Sequence, residues 1–468
     1  MPGARKRVLS GMRPTGRLHI GNYFGALQNW VKLQNDPQNE CFYFIADWHS
    51  LTSDYADTSG IAENTVQVAI DFLAGGLDPA KSTIFLQSLV PEHAELNLLL
   101  SMVTPLGWLE RVPTYKEALA NVKDKDLHTY GFLGYPVLQC GDIVMYGEQG
   151  VPLYVPVGED QVSHVELSRE IVRRFNTYFG LIINEDLFKK ENLSSLFAAS
   201  SYIDLPIPSD ESFDTSYLRT QFARKIAEIG YPNFVEKVKS GHSKGVFRGI
   251  EAIYGDEFRP KLSDATLKYF GWHDRLREPE VMLTQTPRIP GTDGRKMSKS
   301  YKNDITLSES DENIRAKTKV MITDPARKRR ENPGNPDICP VYDWHKLFSP
   351  QQTLEWAAHG CRTAGIGCIE CKSAMADNLI KWITPLRERR VYYESKTTLV
   401  RKLIRDGSVK ARRVAQETMK LVRDAVFGKN RILRRPIARR PEKKRKKTSS
   451  EIESLPLRGR RRITFSDE

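Results

Sequence analysis

The sequence predicts an α/β fold with a doubly wound parallel sheet, followed by a mostly helical region. Short apolar runs, such as 42–46 and 83–87, are typical of strands that are buried on both faces. Segments with apolar residues at helical spacing, for example 59–76, separate these runs. In 309–428 the apolar residues recur almost only at helical spacing. Strands that alternate with helices indicate a parallel sheet with helices on both faces, and the second region indicates helices packed on helices.

Length and composition agree with a globular protein of two to four domains. The chain has 468 residues, of which 40% are hydrophobic and 9% are aromatic. No apolar run approaches the roughly 18 residues that span a bilayer, and 1–12 lacks the apolar core of a signal peptide. We therefore expect a cytoplasmic protein with no membrane partner. Six cysteines in so long a chain do not form a disulfide scaffold.

The positive charge is concentrated at the end of the chain. The formal net charge is +13, and residues 429–468 alone hold 15 Lys and Arg against 5 Asp and Glu. The remainder is only mildly basic, so the overall charge is weak evidence for a nucleic-acid partner. We expect 429–468 to be a disordered tail, which could add non-specific RNA affinity through phosphate contacts.

One stretch near the start has the order strand end, tight turn and helix start. It spans Ser10–Asn22, and apolar residues at helical spacing begin at Leu18. The first turn of a helix presents free backbone N–H groups and the positive end of the helix dipole, which suit a phosphate. On its own, such a stretch is more often only a structural turn. The residues expected to contact a phosphate are His19, Gly21 and Asn22.

A second stretch, far along the chain, carries two lysines three positions apart in a loop rich in Gly and Ser. It runs Lys296-Met297-Ser298-Lys299-Ser300 and follows a Gly-Thr-Asp-Gly-Arg segment. Two such cations can clamp a polyphosphate. A single Lys-x-x-Lys is usually a solvated loop, but both stretches in this order are a much stronger signal.

Together the two stretches resemble the two signatures of the class I aminoacyl-tRNA synthetases. His19-Ile20-Gly21-Asn22 corresponds to the HIGH element, with the Asn that is known in the tryptophan branch, and Lys296–Ser300 is an unaltered KMSKS element. The resemblance covers about 8–180 and 279–428. It implies a Rossmann-like catalytic domain, a C-terminal all-helical anticodon-binding domain, and ATP and tRNA as partners.

Two further segments favour the tryptophan branch over its sister tyrosine branch. Gly158-Glu159-Asp160-Gln161 is similar to the tryptophan version, because the tyrosine version typically has Ser-Asp-Gln there. A helix after Pro136 carries Gln139 and Asp142 on one face. In the tryptophan family the matching Asp accepts the indole N–H, and many relatives have Met in place of Gln139. Indole is a donor without an acceptor, so a buried carboxylate suits it.

The resemblance implies a tryptophan–tRNA ligase reaction. L-Tryptophan reacts with ATP, which binds with Mg²⁺, to give tryptophanyl-adenylate and pyrophosphate, and the tryptophanyl group then passes to the 3′ end of tRNA(Trp). No covalent intermediate with the enzyme is needed, so catalysis is positioning and charge stabilisation. A homodimer is also implied. The alternatives are a tyrosine–tRNA ligase and a non-catalytic, synthetase-like nucleic-acid-binding protein.

The implied site residues fall into three groups. The catalytic residues are Lys296, Lys299 and His19. Tryptophan-binding residues are Asp142, Gln139 and His49. The ATP-binding residues are Arg13, Pro14, Thr15, His19, Gly21, Asn22, Gly158, Glu159, Asp160, Ile289, Lys296, Met297, Ser298, Lys299 and Ser300.

Four of the six cysteines lie in the helical region with the spacing C-x21-C-x6-C-x2-C. They are Cys339, Cys361, Cys368 and Cys371. Such a set predicts one metal centre, and the spacing alone does not separate zinc from an iron–sulfur cluster. The sequence around Cys368 resembles that of tryptophan enzymes of the Thermotoga-like type. This resemblance implies a 4Fe–4S cluster, with Zn²⁺ as the alternative.

These observations predict five segments along the chain. They are a first catalytic part at 1–180, a mostly helical insertion at 181–277, a second catalytic part with the lysine loop at 278–308, the helical anticodon-binding domain with its four cysteines at 309–428, and the basic tail at 429–468. The insertion holds no motif that points to a function.

Overall fold

The fold is given by a computed structural model. It describes residues 5–121, 125–207, 214–240, 258–284 and 289–428. The predicted tail at 429–468 therefore lies outside the described residues.

The predicted parallel sheet is confirmed, with the strand order β3-β2-β1-β4-β7. Every neighbouring pair of these five strands is parallel. The chain crosses from one side of β1 to the other between β3 and β4, which is the topological switch point where ligands bind in such folds. The strands are β1 Lys6–Met12, β2 Asn39–Ile45, β3 Ser82–Leu86, β4 Leu153–Val157 and β7 Pro279–Leu283.

Both faces of the sheet are covered. Successive side chains of a strand point to opposite faces. Leu9 and Phe42 accordingly belong to the hydrophobic cluster on one face, whereas their neighbours Val8 and Cys41 belong to the cluster on the other. This double burial explains why the strands appear in the sequence as continuous apolar runs.

The described residues of the segment predicted as the first catalytic part contain nine α-helices. Residues Ile20–Gln34 form one continuous helical stretch, with a wider π-turn at Tyr23–Leu27. The helices are α1 Ile20–Asn22, α2 Gln28–Gln34, α3 Asp47–Asp54, α4 Ile61–Ala74, α5 Glu92–Ser101, α6 Leu106–Leu109, α7 Pro113–Asn121, α8 Tyr130–Val144 and α9 Val162–Phe179.

Helix α3 begins directly after β2. Its hydrophobic signal is weak, and tertiary contacts stabilise its start. The backbone N–H of Trp48 donates to the side-chain oxygen of Gln87 at 3.1 Å. The carboxylate of Asp47 accepts from the backbone N–H of Ser88 at 3.0 Å. Both partners follow β3, so local sequence patterns could not reveal this helix.

The segment predicted as an insertion has a hydrophobic cluster of its own. Phe222, Phe234 and Phe270 are among its buried members. The segment is mostly helical, as expected, and also contains a two-stranded antiparallel sheet. Its boundaries remain a prediction. Its elements are β5 Leu181–Ile183, α10 Leu193–Tyr202, α11 Thr215–Ile229, α12 Tyr231–Ser240, α13 Phe258–Leu267 and β6 Phe270–Trp272.

The described residues after the lysine loop form helices joined by loops, and a long connection at 320–339 separates the first of these helices from the second. None of the described helices is long and apolar enough to cross a membrane. The helices are α14 Asp311–Lys319, α15 Pro340–Phe348, α16 Gln351–Arg362, α17 Cys368–Glu394 and α18 Thr397–Phe427.

Helix α18 packs across one face of the parallel sheet. Ala411, Ala415 and Met419 are buried in the same hydrophobic cluster as Leu9 and Phe42. The hydroxyl of Ser408 accepts from the backbone N–H of Leu86 at 3.2 Å, at the end of β3. Ion pairs to Glu92 and Glu95 on α5 continue the contact, through Arg412 and Arg423.

Gly407 allows the closest approach between α18 and the sheet. A Cβ atom at this position would lie 1.9 Å from the backbone oxygen of Ile84. Gly407→Ala should therefore destabilise the fold by about 1–3 kcal/mol, because the helix must move away from β3. In an ordinary helix the same change stabilises by roughly 1 kcal/mol. Denaturant unfolding measures the difference.

Gly134, inside α8, provides the matched control. A Cβ atom there meets nothing within 4 Å. Gly134→Ala should leave the free energy of unfolding unchanged or raise it. If Gly407→Ala behaves in the same way, the close packing of α18 on β3 is wrong.

Candidate functional site

A cavity of about 770 Å³ opens at the carboxyl ends of the parallel strands. Such a volume is typical of a small-molecule site. Gly11 of β1, Ala46 after β2, Gly158 after β4 and Thr284 after β7 all line it. The sheet therefore brings together segments that are far apart in sequence. Of the sequence-predicted site residues, Arg13, His49, Gln139, Asp142, Gly158 and Ser300 line this cavity.

The turn predicted to bind a phosphate lies at the start of α1, but the backbone N–H groups of His19, Ile20 and Asn22 are paired within the protein rather than free. The Nδ1 atom of His19 accepts from the backbone N–H of Asn22 at 3.1 Å, and the Asn22 side chain accepts from the backbone N–H of His19 at 3.1 Å. Gly21 is required because a Cβ atom there would lie 2.9 Å from the His19 ring. Burial lowers the pKa of His19 to about 4, because its effect is larger than the opposing effect of the nearby Asp304 carboxylate. The imidazole is therefore neutral at pH 7.

The lysine loop is held by Asn303, which the sequence analysis missed. The side-chain oxygen of Asn303 accepts from the backbone N–H of Ser298 at 2.7 Å. Its side-chain amide donates to Asp293 at 2.7 Å and to the carbonyl of Lys296 at 3.2 Å. Asn303 is only 2% exposed, so it fixes the loop from inside. Its position three residues after the loop was the only available sign.

Lys299 joins the two signature stretches. Its ammonium group donates to the carbonyl of Thr15 at 3.0 Å. Burial lowers the pKa of Lys299, and the carboxylates of Asp304 and Asp71 act against that effect. Lys296 is exposed on the other side of the buried Met297. The loop thus presents one half-buried and one exposed cation.

Several predicted site residues lie near the cavity but do not line it. The two lysines, His19, Gly21 and Asn22 lie at the turn and the loop just described. Pro14 is buried and Thr15 is exposed at that turn. Glu159 and Asp160 are exposed in a short 3₁₀ helix after β4, and Ile289 is buried in a cluster that also contains Met297.

Asp142 is buried at the wall of the cavity and is held by three side chains. His49 donates to one carboxylate oxygen at 2.8 Å, and His93 donates to the other at 2.6 Å. The amide of Gln87 reaches both oxygens, at 2.8 and 2.9 Å. The second ring nitrogen of His93 pairs with the hydroxyl of Tyr146 at 2.8 Å. The structure therefore brings the predicted residues His49 and Asp142 together and adds two partners of the carboxylate, Gln87 and His93.

Asp142 is an ionised acceptor in spite of its burial. Burial alone would raise its pKa, but the hydrogen bonds from His49 and His93 outweigh this effect and hold the pKa below the usual value. Gln139, one helical turn earlier on α8, lines the same cavity. The wall at α8 thus offers an anionic acceptor next to a neutral amide.

A second polar group on the cavity wall was not foreseen. The hydroxyl of Tyr135 lies 2.8 Å from the Nε2 atom of His164, and Thr114 contacts Tyr135 at 2.7 Å. All three residues line the cavity. Among the described residues, the Nδ1 atom of His164 and the side-chain nitrogen of Asn29 are buried without a hydrogen-bond partner. Buried polar atoms of this kind need an explanation, and a ligand in the cavity is one.

The four cysteines of the helical region lie near one another. Cys339 precedes α15, Cys361 lies in the last turn of α16, and Cys368 and Cys371 begin α17. Burial raises the pKa of Cys371 to about 12, and the charges of the other three thiols add to the rise. The guanidinium of Arg327 lies 3.8 Å from the sulfur of Cys361.

The four thiols are free, and their donor chemistry suits a soft metal. His345 adds an imidazole 3.4 Å from the sulfur of Cys371. Within the part of the chain that the structure describes, however, no three His, Cys, Asp or Glu side chains are close enough to form a ligand group for a metal ion. The cysteines are thus neighbours without being a preformed ligand set.

Comparison with known proteins gives one consistent family. Residues 1–194 and 264–384 match the family described as tRNA synthetases class I (W and Y). The chain is 43% identical to a tryptophan–tRNA ligase of Ralstonia nicotianae over 429 residues, which is 90% of this chain and 98% of that protein. It is 41% identical to a tryptophan–tRNA ligase of Thermotoga maritima over 421 residues, with the same two coverages.

Solved structures agree with the sequence comparisons. The fold is similar to that of a tryptophanyl-tRNA synthetase from Campylobacter jejuni that was crystallised with ADP and tryptophan. The TM-score is 0.62 and the identity is 26%, over 89% of this chain and 98% of that one.

Proposed function

This chain belongs to the class I tRNA synthetases of the tryptophan and tyrosine type, and from that premise we propose how its residues carry out the reaction of a tryptophan–tRNA ligase. The reaction joins L-tryptophan to tRNA at the expense of ATP. The observation that carries the division of roles is the cavity at the carboxyl ends of the strands. Asp142 lines that cavity, and the signature turn and lysine loop lie around it.

In the first step, the tryptophan carboxylate attacks the α-phosphorus of ATP. A new oxygen–phosphorus bond forms, and the bond to the pyrophosphate leaving group breaks. No side chain becomes a covalent partner, so the protein contributes position and charge. In the second step, a terminal ribose hydroxyl of tRNA(Trp) attacks the activated carbonyl and releases AMP. Mg²⁺ bound with ATP would supply neutralisation of the phosphate charge.

We assign ATP binding to the turn and the loop. The turn at the start of α1 lies beside the lysine loop, and neutral His19 and Asn22 hold its shape by pairing with its backbone N–H groups. Gly158 and its acidic neighbours Glu159 and Asp160, at the end of β4, are also assigned to ATP binding. Lys296 and Lys299 stabilise the charge that grows on the leaving pyrophosphate. The contact of Lys299 with Thr15 supports this assignment, because it places one cation beside the turn.

Tryptophan recognition is assigned to the wall at α8. The carboxylate of Asp142 accepts the indole N–H on its cavity side, where His49 is the neighbouring donor. A ligand without a donor would lack this one hydrogen bond, while His49, His93 and Gln87 would still pair both carboxylate oxygens. Gln139 contacts the ring edge. The Tyr135–His164 pair, which lines the same cavity, is assigned to the amino-acid end of the ligand.

We also propose that Cys339, Cys361, Cys368 and Cys371 hold one metal centre, which is a 4Fe–4S cluster rather than zinc. Their spacing, their free thiols and the electrostatic influence of each on the others support this proposal. The sulfurs must turn towards a common centre to bind it. Aminoacylation transfers no electrons, so the centre would stabilise the helical region that we assign to tRNA binding.

A homodimer is the proposed assembly. Large apolar side chains are exposed along α5 and the segment after it. Leu98 is 54% exposed, Met102 is 72% exposed and Leu106 is 58% exposed. Leu98 and Met102 are one helical turn apart, so they share a face, as an interface between two copies would require. The predicted cytoplasmic location and the tRNA affinity of the tail remain predictions.

The function is tested by ATP–pyrophosphate exchange with each candidate amino acid. Exchange should depend on tryptophan and should be absent or far slower with tyrosine, because the phenol O–H, although also a donor, does not occupy the position of the indole N–H on its ring. Exchange driven by tyrosine would place the chain in the sister branch. No exchange with either amino acid would indicate a nucleic-acid-binding protein without catalysis.

Replacing either lysine of the loop should slow activation. Lys296→Ala and Lys299→Ala should each lower the exchange rate about 10²–10³-fold with little change in tryptophan affinity, because the lysines act on charge that develops in the transition state. Lys302→Ala is the matched control, since this exposed lysine lies just beyond the loop. Near-normal rates in both loop variants would disprove the clamp.

Asp142→Asn should weaken tryptophan binding at least tenfold and leave ATP binding largely intact, because the amide retains the shape but not the charge of the acceptor. Titrations with each ligand measure the two affinities. The control is Tyr146→Phe, which breaks the far end of the same network without touching the cavity lining. It should lower stability and leave tryptophan affinity unchanged. Equal losses of both ligands in Asp142→Asn would indicate a structural role.

Cys368→Ser should reduce the iron content of anaerobically purified protein, lower its melting temperature and impair tRNA charging more than exchange. The reason is that metal binding contributes directly to folding of this region. Cys41→Ala, in the buried strand β2, serves as the control and should retain full iron content. Zinc in place of iron would select the alternative metal, and protein without either would contradict the proposal.

A further inference from the structure

A fully buried ion pair lies outside the cavity, between α4 and the end of α17. Asp71 and Arg390 form it, and the side chain of each is 1% exposed. The guanidinium also contacts the side chain of Gln67 and, at 3.1 Å, the carboxylate of Glu394. None of the residues in the two signature stretches supplies these charges.

The second carboxylate oxygen of Asp71 reaches the signature turn. It accepts from the backbone N–H of Leu18 at 2.7 Å. Leu18 directly precedes His19, and the neighbouring backbone is tied to the far side of the lysine loop. The N–H of Ile20 donates to the carbonyl of Ile305 at 3.0 Å, and the carbonyl of Leu18 accepts from Leu307 at 2.8 Å. Asp71 is therefore a side-chain anchor of the backbone of the signature turn.

The arrangement is costly for a purely structural contact. Removing two charges from water carries a large desolvation penalty, and apolar residues of similar size often stabilise as well or better. Burial raises the pKa of Asp71 to about 6, even though Arg390 acts in the opposite direction. The carboxylate also influences Lys299 on the other signature. Asp71 thus acts on both signatures, and Arg390 keeps it charged.

We propose that Arg390 is a positioning residue for ATP: by holding the Asp71 carboxylate against the Leu18 N–H, it sets the backbone of the signature turn from the C-terminal helical region. The proposal rests on the proposed function, in which this turn binds the nucleotide. Arg390 touches neither ligand. It acts through Asp71 and through the rigid attachment of α17.

Helix α17 connects this ion pair to the cysteines of the helical region. The helix has 27 residues and starts at Cys368. The rise of about 1.5 Å per residue places Arg390 roughly 33 Å from the cysteine end of the same helix. The group of thiols and the nucleotide turn are thus joined by one helix, with Arg390 at the catalytic end.

The test compares single and double replacements of the pair. Arg390→Met and Asp71→Leu should each lower the melting temperature, because each leaves one buried charge without its partner. The double variant removes both charges and should regain much of that stability. Its KM and directly measured Kd for ATP should nevertheless stay raised by about tenfold or more, since Leu18 still lacks its acceptor. Its Kd for tryptophan should be unchanged.

Two further variants separate positioning from packing. Arg390→Lys keeps a cation beside Asp71 and should restore ATP affinity in part. Arg389→Ala is the matched control, because Arg389 also joins α17 to the catalytic segment, through a 2.7 Å hydrogen bond to the carbonyl of Ala74, but does not reach the turn. It should leave both affinities unchanged.

A stable double variant with wild-type ATP affinity would overturn the proposal, as would equal losses for ATP and tryptophan. Direct ATP titration separates this outcome from failure of the proposed function. A wild-type chain that binds ATP but does not catalyse ATP–pyrophosphate exchange would refute the proposed function. The effect of replacing Arg390 on ATP affinity would still be measured in that chain, and it would test the positioning proposal independently.

Discussion

The parallel sheet imposes the constraint on which the rest of the structure depends. Its strands carry apolar side chains on both faces, so helices must cover both, and all carboxyl ends lie at one edge. Helix α18 is one of the helices packed on the sheet, because Gly407 lets its backbone approach β3 closely. The cavity opens at the edge that the cover leaves free. Fold and site are therefore consequences of one arrangement.

Two buried carboxylates near the site illustrate how surroundings set charge. Asp142 receives donors from His49, His93 and Gln87, which hold its pKa below the usual value despite burial. Asp71 has one guanidinium and one backbone N–H, and burial dominates, so its pKa is raised. The first faces a ligand cavity, and the second anchors backbone. The same residue type thus gains different properties from the number and kind of its donors.

The helical region is connected to the catalytic segment along its length. Helix α17 begins with two of the four cysteines and reaches Asp71 near its end, and α18 continues over the sheet to α5. Contacts of this kind provide a physical route by which an event at one end can alter the geometry of the nucleotide turn. A route needs measured coupling to count as communication, which is why the ATP and tryptophan affinities must be separated.

The resemblance to a known family suggested the role proposed for Asp142, whereas the sequence by itself predicted the parallel α/β fold, the helical second region, the turn around His19 and the lysine loop. Each depends on local periodicity or on a contiguous motif, which a linear pattern records. Helix α3, the Asn303 anchor, the partners of Asp142 and the Asp71–Arg390 pair depended on the tertiary structure. Arg390 and Asp71 are 319 positions apart, and nothing in their neighbouring residues marks either one. Such pairings arise only when packing brings distant segments together, because burial is what makes a buried charge require a specific partner.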